Sequence, residues 1–230
     1  MKSCYCQAVI IKWWIAGLCS LLLWSCGGTE ERSLRVFRYN STNTIASLDP
    51  AFAKSQEVIW AVKQLYNTLV EPDSNLVIRP SLAKGWQVSE DHRTYTFDLR
   101  TDVYFHDSDI FPGGKGRRMT AQDVVYSLRR IMDPATASPG AWIFNGKLSA
   151  DSGFRALNDS TFQLTLYRPF HPVLGILSMQ YCSIVPHEAV EKYGKDFRNH
   201  PCGTGPFRFF FWDEGQALVL HRNPAYFEKD

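Results

Sequence analysis

Thr94-Tyr95-Thr96-Phe97-Asp98-Leu99-Arg100 alternates apolar and polar residues at every step. A strand sends successive side chains to opposite faces, so Tyr95, Phe97 and Leu99 share one face of a half-buried strand. Upstream, Trp86 and Val88 alternate in the same way, and the two stretches read as a hairpin with Trp86, Tyr95, Phe97 and Leu99 in its core. Glu90-Asp91-His92-Arg93 lies between them. A tight turn usually wants glycine where His92 stands, because the backbone there takes a positive φ. His92 therefore leaves the turn type open.

The pattern continues on both sides. Thr161 to Tyr167 reads as a strand with Phe162, Leu164 and Leu166 on one face. Thr120 opens a helix with Asp123 as its capping-box acid, Val124, Val125, Leu128, Ile131 and Met132 form its buried face, and Asp133-Pro134 stops it. Ser55 caps an earlier helix whose stripe is Val58, Ile59, Val62, Leu65, Tyr66 and Leu69, ended by Pro72. Before it, Leu34 to Tyr39 reads as a strand, followed by the polar loop Asn40-Ser41-Thr42-Asn43 and the turn signal Asp49-Pro50. Pro186 to Tyr193 is a short helix closed by Gly194, and Gly205–Phe211 with Ala217–Leu220 form a second hairpin. The class is mixed α/β or α+β, with strands dominant.

The N-terminus is a targeting segment. Lys2 and Lys12 are basic, and Trp13 to Trp24 is uncharged and mostly apolar. That run is too short to span a bilayer and suits a signal-peptide core. Leu23-Trp24-Ser25-Cys26-Gly27 resembles a bacterial lipobox, which implies a signal peptide over 1–25 and diacylation of Cys26. Two acyl chains give stable anchoring. Removing the leader takes Lys+Arg from 25 to 23 against 23 Asp+Glu, so the remaining chain is formally neutral and gives no support for nucleic-acid binding. Cys4, Cys6 and Cys19 leave with the leader. Cys182 and Cys202 remain, in a compartment that permits a disulfide between them but does not impose one.

Other signals are weaker. Phe111-Pro112-Gly113-Gly114-Lys115-Gly116 lacks the GK[ST] ending of a phosphate-binding loop and leads through Arg117-Arg118 into a capped helix. His106, Asp107 and Asp109 could be metal ligands, but read better as a solvated cluster at a hairpin end. Arg100 and Asp123 are expected in local pairs or caps. His171, His187, His200 and His221 are scattered and support no site. The chain has no G-x-S-x-G or HExxH motif, so neither an enzyme nor a cofactor is expected.

Three ordered segments carry a resemblance. Ser81-Leu82-Ala83 through Trp86, Thr94–Arg100 and Val103-Tyr104-Phe105-His106-Asp107 form the first. Met119 to Ile131, ending in Asp133-Pro134, forms the second. Gly203-Thr204-Gly205-Pro206-Phe207, then Trp212, Gly215, Leu218–Leu220 and Arg222-Asn223-Pro224-Ala225-Tyr226-Phe227, form the third. Together they resemble the family 5 extracellular solute-binding proteins, which include oligopeptide-, dipeptide- and nickel-binding members. The chain departs from the pattern at Ser108, at His92 and in an insertion spanning Phe111 to Arg118, all expected in surface loops.

The resemblance implies a periplasmic-binding-protein-like type II fold, in which two hinged lobes close over a solute. It divides the chain into the signal peptide 1–25, a tether 26–33, a first segment of lobe one 34–70, an accessory domain 71–200 and a return into lobe one 201–230. The second lobe is expected to be absent from this sequence. Asn40, Ser41, Thr42, Asn43 and the Gly203-Thr204-Gly205 turn are expected to face the solute. The implied partners are a peptide or other small solute, the permease subunits of an ABC importer, and the membrane through the lipid anchor, at an extracytoplasmic location. A nickel, haem or sugar binder on the same fold, or a non-transport lipoprotein or truncated relic, are the alternatives.

Overall fold

A computed structural model of the protein describes residues 36–149 and 153–228. The leader expected over 1–25, Cys26 and the tether expected over 26–33 lie outside the described residues, and so does the lipid attachment expected there. The chain divides into two units, the first ending at Asn40 and the second running from Ser41, and every regular element among the described residues lies in the second. Of the strand expected over Leu34–Tyr39, the described residues Val36–Tyr39 carry no strand and belong to no sheet. Extended backbone becomes a strand only beside a partner that takes up its amide groups.

Helix α1 spans Gln56–Leu65 with Ser55 at its N-cap, and buries Val58, Ala61, Val62 and Leu65. Glu57 in its first turn and Lys63 in its last complement the helix dipole. The apolar stripe runs on through Tyr66 and Leu69, both 1 % exposed, but the helix does not. Tyr66 is already extended, at φ −133° and ψ 160°. The cause is a distant segment: the Gly205 amide donates to the Leu65 carbonyl at 2.9 Å, ending the helix well before Pro72.

A short hairpin follows, β1 (Val70–Pro72) with β2 (Ile78–Pro80). Its strands of three residues are too brief for alternation to mark them. β3 (Ala83–Val88) and β4 (Thr94–Leu99) form the hairpin expected around the opening motif. Helix α2 (Ala121–Met132) starts on a complete Thr120–Asp123 capping box and buries Val124, Val125, Leu128 and Ile131. β5 (Phe154–Asn158) and β6 (Thr161–Thr165) complete an antiparallel sheet of order β3-β4-β6-β5. Tyr95, Phe97 and Leu99 of β4 bury with Phe162 and Leu164 of β6, and α2 packs across β5 and β6. Phe97 faces Phe162 across the ladder, with ring centroids 5.9 Å apart.

Trp86 and Val88 differ from expectation. Trp86 is half-buried against Phe97, and Val88 is 40 % exposed. β3 is an edge strand, so its apolar residues have cross-strand neighbours on one side only.

The β3–β4 turn takes the positive φ its position demands without glycine: His92 sits at φ 54°. Asp91 holds the turn, accepting from the Ser89 hydroxyl, the Arg93 amide and Arg93 Nε. The Ser89 bond and the Arg93 bonds hold the Asp91 carboxyl down to about 2. Because a left-handed side-chain-bearing residue is strained, His92→Gly is expected to raise stability by about 0.5–1 kcal/mol. The urea midpoint should rise with an unchanged slope; a fall in midpoint would contradict this reading of the turn.

After β6 come α3 (Val173–Leu177) and α4 (His187–Tyr193), the latter closed by Gly194 at φ 53°. β7 (Phe207–Asp213) and β8 (Ala217–Arg222) form the last hairpin, and β7 packs on α1. Among the described residues no helix is long and apolar enough to cross a membrane.

Candidate functional site

Gly203-Thr204-Gly205 is placed at a junction rather than at a surface. All three residues are buried, Thr204 to 1 % exposure. A Cβ on Gly203 would lie 2.1 Å from the Leu65 carbonyl oxygen, and one on Gly205 would lie 2.4 Å from the Leu65 carbonyl carbon. Only glycine lets these backbones meet. The Thr204 hydroxyl donates to Asn67 Oδ1 at 3.0 Å, and Asn67 Nδ2 donates to the Tyr226 hydroxyl at 3.0 Å. Asn223 Nδ2 donates to the Gly205 carbonyl at 3.1 Å. These groups are committed to partners within the chain.

His106 completes the junction, and here expectation is corrected. It is not solvated but 5 % exposed. Its backbone amide donates to the Gly203 carbonyl at 2.8 Å, and its ring Nε2 lies 2.9 Å from the Gly205 carbonyl. Gly203 N–H points to Nδ1 at 3.4 Å. These partners suit the neutral ring with its proton on Nε2. Burial lowers its pKa to about 4, against the opposing bond to Gly205. Asp107 and Asp109 are exposed as expected, but apart: Asp107 pairs with Lys115, and Asp109 with Lys192 and the Tyr193 hydroxyl. Among the described residues no group of three or more His, Cys, Asp or Glu is arranged to hold a metal.

The polar loop is open. Asn40, the last residue of the first unit, is exposed. In the second unit Ser41, Thr42 and Asn43 are exposed, the Ser41 hydroxyl donates to the Asn43 carbonyl at 3.0 Å, and Asn43 Nδ2 donates to Glu57 Oε1 at 2.6 Å. The bond from Asn43 is the main cause that lowers the Glu57 pKa.

The two cysteines are not joined: both are buried free thiols. Cys182 Sγ lies 3.4 Å from the Ile176 carbonyl and Cys202 Sγ lies 3.5 Å from the His106 carbonyl. Burial raises both, Cys202 to about 12. Sequence spacing cannot report whether two thiols come within disulfide reach.

Two ion-pair centres brace the scaffold. Arg117 donates to both oxygens of Asp123 at 2.6 and 2.9 Å and to Glu188 at 2.6 and 2.8 Å. Its guanidinium lies over the Phe105 and Phe111 rings, so the Phe111–Arg118 insertion is partly a core element, with Phe111 3 % exposed. Arg100 makes the expected local pair, with Asp102. Arg130 and Asp49 form a bidentate buried pair at 2.8 and 2.5 Å, which sequence reading missed because the partners are 81 positions apart.

Comparison with known proteins locates this scaffold. The family model "Bacterial extracellular solute-binding proteins, family 5 Middle" matches residues 77–230. The chain is 32% identical over 205 residues to the periplasmic oligopeptide-binding protein OppA of Salmonella typhimurium, covering 82% of this chain and 36% of that protein. It is 28% identical over 207 residues to the probable deoxycholate-binding periplasmic protein YgiS of Escherichia coli, covering 84% and 37%. Among solved structures, the periplasmic binding protein DppA of Helicobacter pylori in complex with the peptide STSA overlays with a TM-score of 0.69 at 32% identity, covering 80% of this chain and 38% of that one. The chain thus spans little more than a third of the length of these relatives.

Proposed function

Because the chain belongs to the bacterial extracellular solute-binding proteins, family 5, we propose that it contributes one wall of a peptide-binding cleft serving an ABC importer. The observation that carries this reading is the overlay on a peptide-bound relative across 80% of this chain. In this reading residues 34–70 and 201–230 belong to lobe one, and 71–200 to an accessory domain. The return of β7 onto α1 supports that division. The exposed loop Ser41–Asn43 meets a solute in this reading, while His106 and the Gly203–Gly205 turn brace the scaffold. Extended peptides are suited to such a wall, since their backbone groups can bond to protein regardless of side chain. Cys26 anchors the chain outside the cytoplasm.

Titration of the chain with a pool of tripeptides should give a calorimetric signal, weakened because a single wall leaves much of the ligand in water. A signal from other solutes and none from peptides would sink the assignment. The likeness to a probable deoxycholate binder favours, as a second reading, a different solute on the same fold. Metabolic labelling with palmitate tests the anchor: label retained in Cys26→Ala would remove it.

A further inference from the structure

The structure brings together two histidines that lie 79 positions apart (171 − 92) in the sequence. The rings of His92 and His171 have centroids 5.6 Å apart, tilted by 59°. His92 projects from the β3–β4 turn, and His171 from the loop between β6 and α3. The two segments are fixed to each other. Thr94 pairs with Thr165 in the ladder, and the Leu166 amide donates to the Arg93 carbonyl at 2.8 Å.

Both residues are exposed, and neither ring has a hydrogen-bond or ion-pair partner among the described residues. Their nitrogens are therefore uncommitted. The neighbouring cation does not oppose a second one, since Arg93 is paired with Asp91. Two imidazoles on one tetrahedral ion, with metal–nitrogen bonds of about 2.0–2.1 Å and ring centres roughly 1 Å further back, have centres roughly 5–6 Å apart. The observed 5.6 Å falls within that span. The turn also keeps histidine at φ 54°, where glycine would be unstrained. The result is a turn whose backbone presents one imidazole beside another.

We propose that His92 and His171 form a surface site for a divalent transition-metal ion of the zinc, nickel or copper class, with water completing the coordination. Imidazole suits these ions, and two protein ligands leave positions open. The site does not rest on the peptide reading.

Copper(II) added to the full chain in detergent, with accessible thiols first blocked by N-ethylmaleimide, provides the probe. Pulsed EPR should show two imidazole nitrogens coupled to one ion. His171→Ala and His92→Gly should each lower copper affinity at least tenfold, and the double variant should lose little more than either, because removing one ligand already destroys the chelate. His92→Gly relieves the turn, so its loss of affinity cannot come from misfolding. Unchanged affinity in both single variants, or a spectrum without paired imidazoles in the parent chain, would overturn the site.

Discussion

Replacing Arg130 with methionine is expected to lower the stability of the fold by about 3–5 kcal/mol, the range for removing one partner of a buried ion pair. The reason lies in what is left behind. Asp49 is 3 % exposed, and its carboxylate then keeps only the Ala51 amide, at 3.0 Å. The Arg130 guanidinium also lies 5.4 Å from the centre of the Phe197 ring, and that contact goes with it. Methionine retains much of the apolar stem, so the loss reports chiefly the uncompensated charge. Converting Asp49 to asparagine in the Arg130→Met background should recover part of the stability, since the neutral amide can still accept from Ala51 while needing no counter-charge. Urea unfolding measures both. A loss under about 1 kcal/mol in the single variant, or a double variant no better than the single, would show that the pair is screened rather than buried.

The second large effect is a pH dependence centred on His106. Its folded pKa is lowered from 6.5 to about 4, chiefly by burial. Above pH 6.5 both folded and unfolded chains carry the neutral ring, and its contribution is complete. Below that pH the unfolded chain takes up a proton that the folded chain refuses, so stability falls until the folded ring protonates near pH 4. At about 1.4 kcal/mol per unit the loss amounts to about 3 kcal/mol. The groups facing the ring are the Gly205 carbonyl and the charges of Arg208 and Asp107. Paired carboxylates such as Asp73, Asp102 and Asp109 also lose stabilisation in acid. The informative quantity is therefore the difference between the parent chain and His106→Gln. That difference should shrink by about 3 kcal/mol from pH 7 to pH 4. NMR gives an independent check: the His106 ring should remain neutral at pH 5. A ring that titrates like a free imidazole would refute the buried, neutral assignment.

What the sequence showed clearly is what depends on near neighbours. The alternation of Tyr95, Phe97 and Leu99 and the Thr120–Asp123 box each specify their element within a few residues, and β4 and α2 follow them. What it hid depends on partners far along the chain. Helix α1 stops at Leu65 because of Gly205, so a continuing apolar stripe could not disclose its end. Trp86 has the pattern of a core strand, but its burial is limited by β3 being an edge, which is a property of sheet order. His106 sits beside two exposed aspartates, and only the approach of the Gly203–Gly205 turn takes it out of water. The same limit left the Cys182–Cys202 pairing open and hid the approach of His92 to His171. The motif order carried the family because it samples the whole frame at once, whereas contact residues depend on local surface that no motif specifies.

The junction at Leu65 also sets an order of events in making the protein. Its closing bond joins residues 65 and 205, 140 positions apart (205 − 65). A contact of such separation must meet the entropy of closing a long loop before it returns any stabilisation. A chain emerging from a ribosome cannot seal the end of α1 until Gly205 has followed. Until then the Leu65 carbonyl lacks its Gly205 partner, and the apolar groups of Tyr66 and its neighbours lack the glycine turn that covers them. The half-made chain is thus exposed at one defined place, where a holding chaperone would find a foothold.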